Sequence, residues 1–168
     1  MPDDVLARAG LARGERVLAW AAADDGTCLL GTRDALLLVE PAETIRLLWE
    51  RVETADWDRG EDRIRVLEVG EFGRVRPVHS YVVPEPGLLL QMVRERVTAS
   101  VVLQRRVAVG GGRGLLVIAR RPPRRQGEIS WAYQLDPGLD PDDPAVQRAA
   151  EAGLRAAQEE LGSGPASS

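Results

Sequence analysis

Few side chains in this sequence are of the kinds that do chemistry, and their spacing does not assemble a reaction centre. The one histidine, His79, stands beside Ser80. Neighbours on a strand point to opposite faces, so the two do not form a nucleophile and its base. There is no G-x-S-x-G elbow either. The one cysteine, Cys28, sits in an apolar run without a disulfide partner or zinc-ligand spacing, and reads as a buried structural thiol. The glycines of 110–114 (GGGRG) would cradle a phosphate only if they opened a helix; they lead into LLVIA, a strand, and read as a hairpin turn. Glu50, Glu53, Asp56 and Asp58, and again Asp140, Asp142 and Asp143, lack the glycine and terminal glutamate of a calcium loop. Solvated turns and helix capping account for them. The expectation is a chain with no catalytic, metal or cofactor site, and not an enzyme.

What remains is arginine. All 22 basic residues are Arg, with no Lys, a bias that fits a GC-rich genome. They are unevenly spread. Residues 94–125 hold nine Arg against one acid, Glu95, while the flanking blocks 1–93 and 126–168 are each net negative by six. One reading pairs these arginines with the acidic C-terminal segment inside the fold. The other makes them a face for an anionic partner, with Arg105, Arg106, Arg120, Arg121, Arg124 and Arg125 as contacts and Arg94 beside them. Arg120, Arg121, Arg124 and Arg125 flank Pro122 and Pro123 in what reads as an exposed loop. No aromatic residue interrupts 94–125, so nothing there would stack bases, and the nucleic-acid case is weak.

The chain has 168 residues, 44% of them hydrophobic, with a net charge of -4 and a pI near 5.2. That is enough for one domain with a sizeable core, here 1–162, followed by a polar tail at 163–168 expected to be disordered. No apolar run approaches 18 residues, and the start, MPDDVLARAG, is acidic where a secretory signal is basic. A cytoplasmic protein is expected.

The elements that would carry these residues can be read in order. Pro2 with Asp3 and Asp4 opens a short helix over 2–12. Strands follow at 16–23, 27–32, 35–40 and 44–49, separated by the turn signals Asp24–Asp25–Gly26, Arg33–Asp34 and Pro41–Ala42–Glu43. The run 35–40 is continuously apolar and belongs mid-sheet. Residues 50–57 continue the fourth strand through a kink, and further strands span 63–69 and 74–83, with Pro77 pointing to an edge or a bulge. After Pro84–Glu85–Pro86–Gly87, Leu89, Met92, Val93, Arg96, Val97 and Ser100 keep helical spacing, and the principal helix is expected to reach about Leu103. The β-branched ASVVLQRRVAV could equally be strand. A hairpin at 115–121 and 129–136 and a helix over 144–161, capped by Asp143 with Pro144 after it, complete the chain. The four tryptophans, Trp20, Trp49, Trp57 and Trp131, belong by default to the core, with Trp49 or Trp57 the candidate for an exposed interface.

The runs LLGTRDALLLVE and IRLLWERVETADWD resemble bacterial pleckstrin-homology-like domains, the likeness resting on Gly31, Thr32, Arg33, Trp49, Val52 and Trp57 and covering about residues 14–105. The whole chain, with its phrase RERVTASVV, is also similar to a family of small actinobacterial proteins without an established activity. The resemblance implies an α+β fold: a mostly antiparallel curved sheet or partial barrel closed by a helix, with a C-terminal β-hairpin and helix as an extension over 106–162. Phosphoinositide-binding members carry Lys and Arg around the first hairpin; this chain has Asp24 and Asp25 there. The function expected is therefore a noncatalytic binding or scaffold module for a protein partner, a homodimer among the arrangements open, with an apolar groove beside a sheet edge or the main helix. The alternative is a peripheral adaptor for anionic membrane or nucleic acid, working through 94–125.

Overall fold

A computed structural model of the chain describes residues 1–123 and 127–162. The fold is α+β, with three antiparallel sheets, three α-helices and no closed barrel among the described residues. The chain divides into two compact units, one built from Met1–Val69 and Arg76–Ser100, the other from Gly70–Val75, Val101–Arg121 and the described residues from Gly127 onward.

The first unit opens with α1 (Asp3–Arg8) and a four-stranded meander, β1 (Val17–Ala22), β2 (Cys28–Thr32), β3 (Ala35–Val39) and β4 (Thr44–Leu48). Tight turns join neighbours, so sequence order is also sheet order, and β1 and β4 are left as edges. Every residue of β2 and β3 is buried, as expected of strands covered on both faces. One face, with Leu30, Leu37 and Val39, takes Val5 and Ala9 of α1 and its extension. The other, with Leu29, Leu36 and Leu38, contributes to the main core around Trp49.

A 3-10 turn at Trp49–Arg51 then redirects the chain, so β5 (Val52–Asp58) does not continue β4 as the sequence suggested. It starts a second sheet, β5-β6-β7, with β6 at Arg63–Glu68 and β7 at Val78–Val82. Strand β7 is an edge, in keeping with Pro77 just before it. Trp49 fills the corner with no exposed surface, and its indole N–H donates to the Thr32 carbonyl at 3.1 Å. Helix α2 (Gly87–Ser100) lays Leu89, Val93 and Met92 on this core. It fits closely because Ala19, Ala21 and Gly31 lie beneath it; a Cβ on Gly31 would come within 2.9 Å of Met92 Sδ and 3.1 Å of Leu89 Cδ1.

Helix α2 ends at Ser100, short of the expected end near Leu103. From Val101 the chain is β8 (Val101–Gly110), whose alternate residues Leu103, Val107 and Val109 turn to the core of the second unit. Two β-branched residues in succession, Val101 and Val102, favour the strand. The expected hairpin thereby becomes a three-stranded sheet, β8-β9-β10, with β9 at Arg113–Arg120 and β10 at Ser130–Leu135. Gly111 and Gly112 turn β8 into β9 with φ of +59° and +74°, the paired left-handed geometry of a type I′ hairpin. Helix α3 (Pro144–Gly162) covers one face; its start is capped as expected, the Asp143 carboxylate accepting the Ala145 N–H at 2.7 Å. The expected tail, 163–168, lies outside the described residues.

Candidate docking groove

In the first unit the edge of β1 lies beside exposed apolar surface. Along β1, Val17, Ala19 and Ala21 are turned inward, while Leu18 is 53% and Trp20 40% exposed. The strand's hydrogen-bond phase is fixed at its end: Ala23 N–H donates to the Thr27 carbonyl at 2.8 Å. In an antiparallel pair, bonding alternates residue by residue. Residues 19, 21 and 23 therefore bond to β2, and the backbone groups of Trp20, Ala22 and Asp24 point away from it. Asp24 N–H confirms the phase, donating at 3.0 Å to the carbonyl of Val82. Among the described residues, the outward N–H and C=O of Trp20 and Ala22 take no backbone partner.

Beside this edge lies a hollow of about 500 Å³, lined by Trp20 through Asp24 on one side and by Pro84 and Glu85 on the other. Its apolar walls come from Trp20, the alanines and Pro84. Its charged groups are the carboxylates of Asp24 and Glu85, neither of which has an ion-pair partner among the described residues. The neighbouring turns add more acid. The Tyr81 hydroxyl donates to Glu40 Oε1 at 2.7 Å, and burial first, then Glu40, Asp25 and Glu43, push its pKa well above the usual phenol range. At the β3–β4 turn Arg8 is engaged by Asp4 and the Glu40 carbonyl.

Two other hollows are less suited to a partner. One, of about 500 Å³ on the β5–β6 hairpin, is walled by residues that oppose each other in register, Asp56 against Arg65 and Asp58 against Arg63. The second unit has one of about 260 Å³ beside the edge-on pair Phe72 and Tyr133, with Glu151 at its rim. Burial, and then Glu151, push the Tyr133 hydroxyl up.

The residues singled out from sequence are dispersed. Arg105 donates to Glu160 of α3 at 3.0 Å, and Arg106 forks onto Asp136, which also accepts the Gly114 N–H at 2.8 Å. This pairing holds the Asp136 carboxyl below its usual range and raises Arg106. As neighbours on β8, Arg105 and Arg106 face opposite sides of the sheet and are not brought to one face. Arg120 is buried, and Arg121 is half-buried. Arg124 and Arg125 lie outside the described residues. His79, half-buried, places its Nε2 in hydrogen-bonding contact with Glu68 Oε1 at 2.7 Å, and Ser80 is exposed and bonded by Arg63 at 3.3 Å. Cys28 is buried, and burial raises its thiol pKa. Among the described residues no group of three or more His, Cys, Asp or Glu is placed to hold a metal ion, and no helix is long and apolar enough to cross a membrane.

The exposed tryptophan is Trp20, not Trp49 or Trp57: Trp49 is fully enclosed and Trp57 half-buried against the main core. Sequence reasoning missed it because Trp20 lies in an apolar strand. The signal was its phase, shared with Leu18 and Ala22, in the first strand of a meander, which has a neighbour on one side alone. Compared with known proteins, the chain matches no family model, no curated protein and no solved structure.

Proposed function

We propose that this chain is a noncatalytic protein-interaction module of pleckstrin-homology-like kind, and that it docks an extended segment of another protein along β1. The observation that supports this most is the edge itself: two residues, Trp20 and Ala22, with outward, unpartnered backbone groups beside exposed Leu18 and Trp20. An added strand satisfies such groups and covers the apolar side chains at once, and pockets beside the edge then choose among side chains. Adjacent acidic turns in place of the basic first hairpin of phosphoinositide-binding relatives favour a protein over an anionic lipid. The pairing of Arg105 and Arg106 with Glu160 and Asp136 takes two arginines away from the adaptor reading.

The test is selection from a displayed library of random decapeptides against the wild-type chain and a Trp20→Glu variant whose circular dichroism is unchanged. Enrichment of β-prone sequences that bind wild type and lose binding to the variant is the expected result. No enrichment, or binding indifferent to Trp20→Glu, would overturn the reading.

A further inference from the structure

We infer that the segment taken by the β1 groove is basic, presenting an arginine or lysine side chain to Asp24 and Glu85; this rests on the docking reading above and names the partner's chemistry. The backbone groups of Trp20 and Ala22 would hold any extended chain without regard to sequence. Selectivity must come from the walls. Those walls offer an indole face, methyl groups and two carboxylates, and no cation. A guanidinium or ammonium group entering there gains charge-assisted hydrogen bonds from Asp24 or Glu85 and can lie over the Trp20 ring. Neither carboxylate needs to leave an existing ion pair to do so.

The surroundings reinforce the sign. Asp25, Glu40 and Glu43 all bear on Tyr81, and the carbonyl of its neighbour Val82 takes the Asp24 N–H, so the turns next to the groove carry the same sign. An acidic or phosphorylated segment would meet the carboxylates of Asp24 and Glu85 with no cation among the lining residues. A neutral β-prone segment would satisfy the edge and leave the carboxylates unanswered. The hollow on the β5–β6 hairpin shows the contrast: there each Asp already faces an Arg across the strands.

The test uses two acetylated decapeptides of alternating Val and Thr, one carrying two arginines, its twin carrying citrulline, the neutral isostere of arginine, in their place. Binding to the full chain is measured by calorimetry at low and high salt, with wild type, Trp20→Glu, and a double variant Asp24→Asn/Glu85→Gln. The arginine peptide is expected to bind wild type about tenfold more tightly than its twin, an advantage of the size one partly exposed charge pair with an aromatic contact supplies. High salt and the double variant should both erase that advantage while leaving the twin's affinity in place. If both peptides bind wild type equally and Trp20→Glu abolishes both, docking stands and the basic partner is overturned. If neither binds, the docking reading itself falls and this inference with it.

Discussion

Replacing Glu15 by Gln should remove a pH-dependent part of the first unit's stability. The Glu15 carboxylate is the hub that ties the chain before β1 to the meander. It accepts the Thr32 hydroxyl at 2.6 Å, both Arg46 guanidinium nitrogens at 3.0 and 2.8 Å, and the Ala12 N–H at 2.9 Å. Its side chain is 4% exposed. These bonds, Arg46's foremost and against the opposing effect of burial, lower its pKa from 4.5 to about 2. A group whose pKa falls on folding stabilises above its unfolded value and loses that contribution as pH drops through its folded one. The difference corresponds to about 3 kcal/mol at neutral pH, and to about 2 kcal/mol once solvent around Arg46, about one-third exposed, is allowed for. Protonated Glu and Gln are close equivalents, both neutral and both carrying donor hydrogens where the carboxylate has none. The stability gap between wild type and Glu15→Gln should therefore be about 2 kcal/mol at pH 7 and should close as pH falls from about 5 toward 2. Urea unfolding across that pH series, followed by tryptophan fluorescence, reads it directly. A gap that is absent at neutral pH, or that persists unchanged into acid, would refute the network's role.

Two further substitutions test the packing of the two units. Gly153→Ala in α3 would raise helix propensity by about 1 kcal/mol on an exposed helix, but here the new Cβ would stand 2.5 Å from Val107 Cγ2 and 2.9 Å from Val117 Cγ2. Those methyls belong to stiff β-branched side chains, so net destabilisation of about 1–3 kcal/mol is expected, and Val107→Ala in the same chain should recover part of it in a double-mutant cycle; a more stable single variant would contradict the packing. Trp49→Phe leaves the Thr32 carbonyl without its donor and opens a gap at the corner of the main core. A loss of about 2–3 kcal/mol in chemical denaturation is expected, and a loss near zero would show that the corner is not held there.

Much of the meander was legible in the sequence because its turns are local. Asp24–Asp25–Gly26 closes as a tight turn, Gly26 N–H to the Ala23 carbonyl at 3.2 Å, with Asp25 capping Thr27 at 2.9 Å. The Asp143–Pro144 start of α3 and the interior position of β3 follow from equally local signals. The end of α2 was not legible. Val97 and Val101 continue the helical spacing of Leu89 and Val93, and only the packing of Leu103, Val107 and Val109 against their own core resolves the run as strand. The change of sheet at Trp49–Arg51 was likewise hidden, because a short 3-10 turn and a kinked strand share a sequence pattern. The groove is tertiary. Asp24 was visible as a turn residue and Pro84–Glu85 as a break, but that they line one hollow beside β1 depends on where β7 delivers the chain.

Amide hydrogen exchange reads the outward N–H groups of Trp20 and Ala22 one at a time. In the free chain the outward N–H groups of Trp20 and Ala22 should exchange far faster than those of Ala19 and Ala21, which bond to β2. Saturation with the arginine decapeptide should slow Trp20 and Ala22 selectively, as a new strand pairs with them. Equal protection of all four amides in the free chain, or slowing on peptide addition anywhere but at β1, would contradict the account.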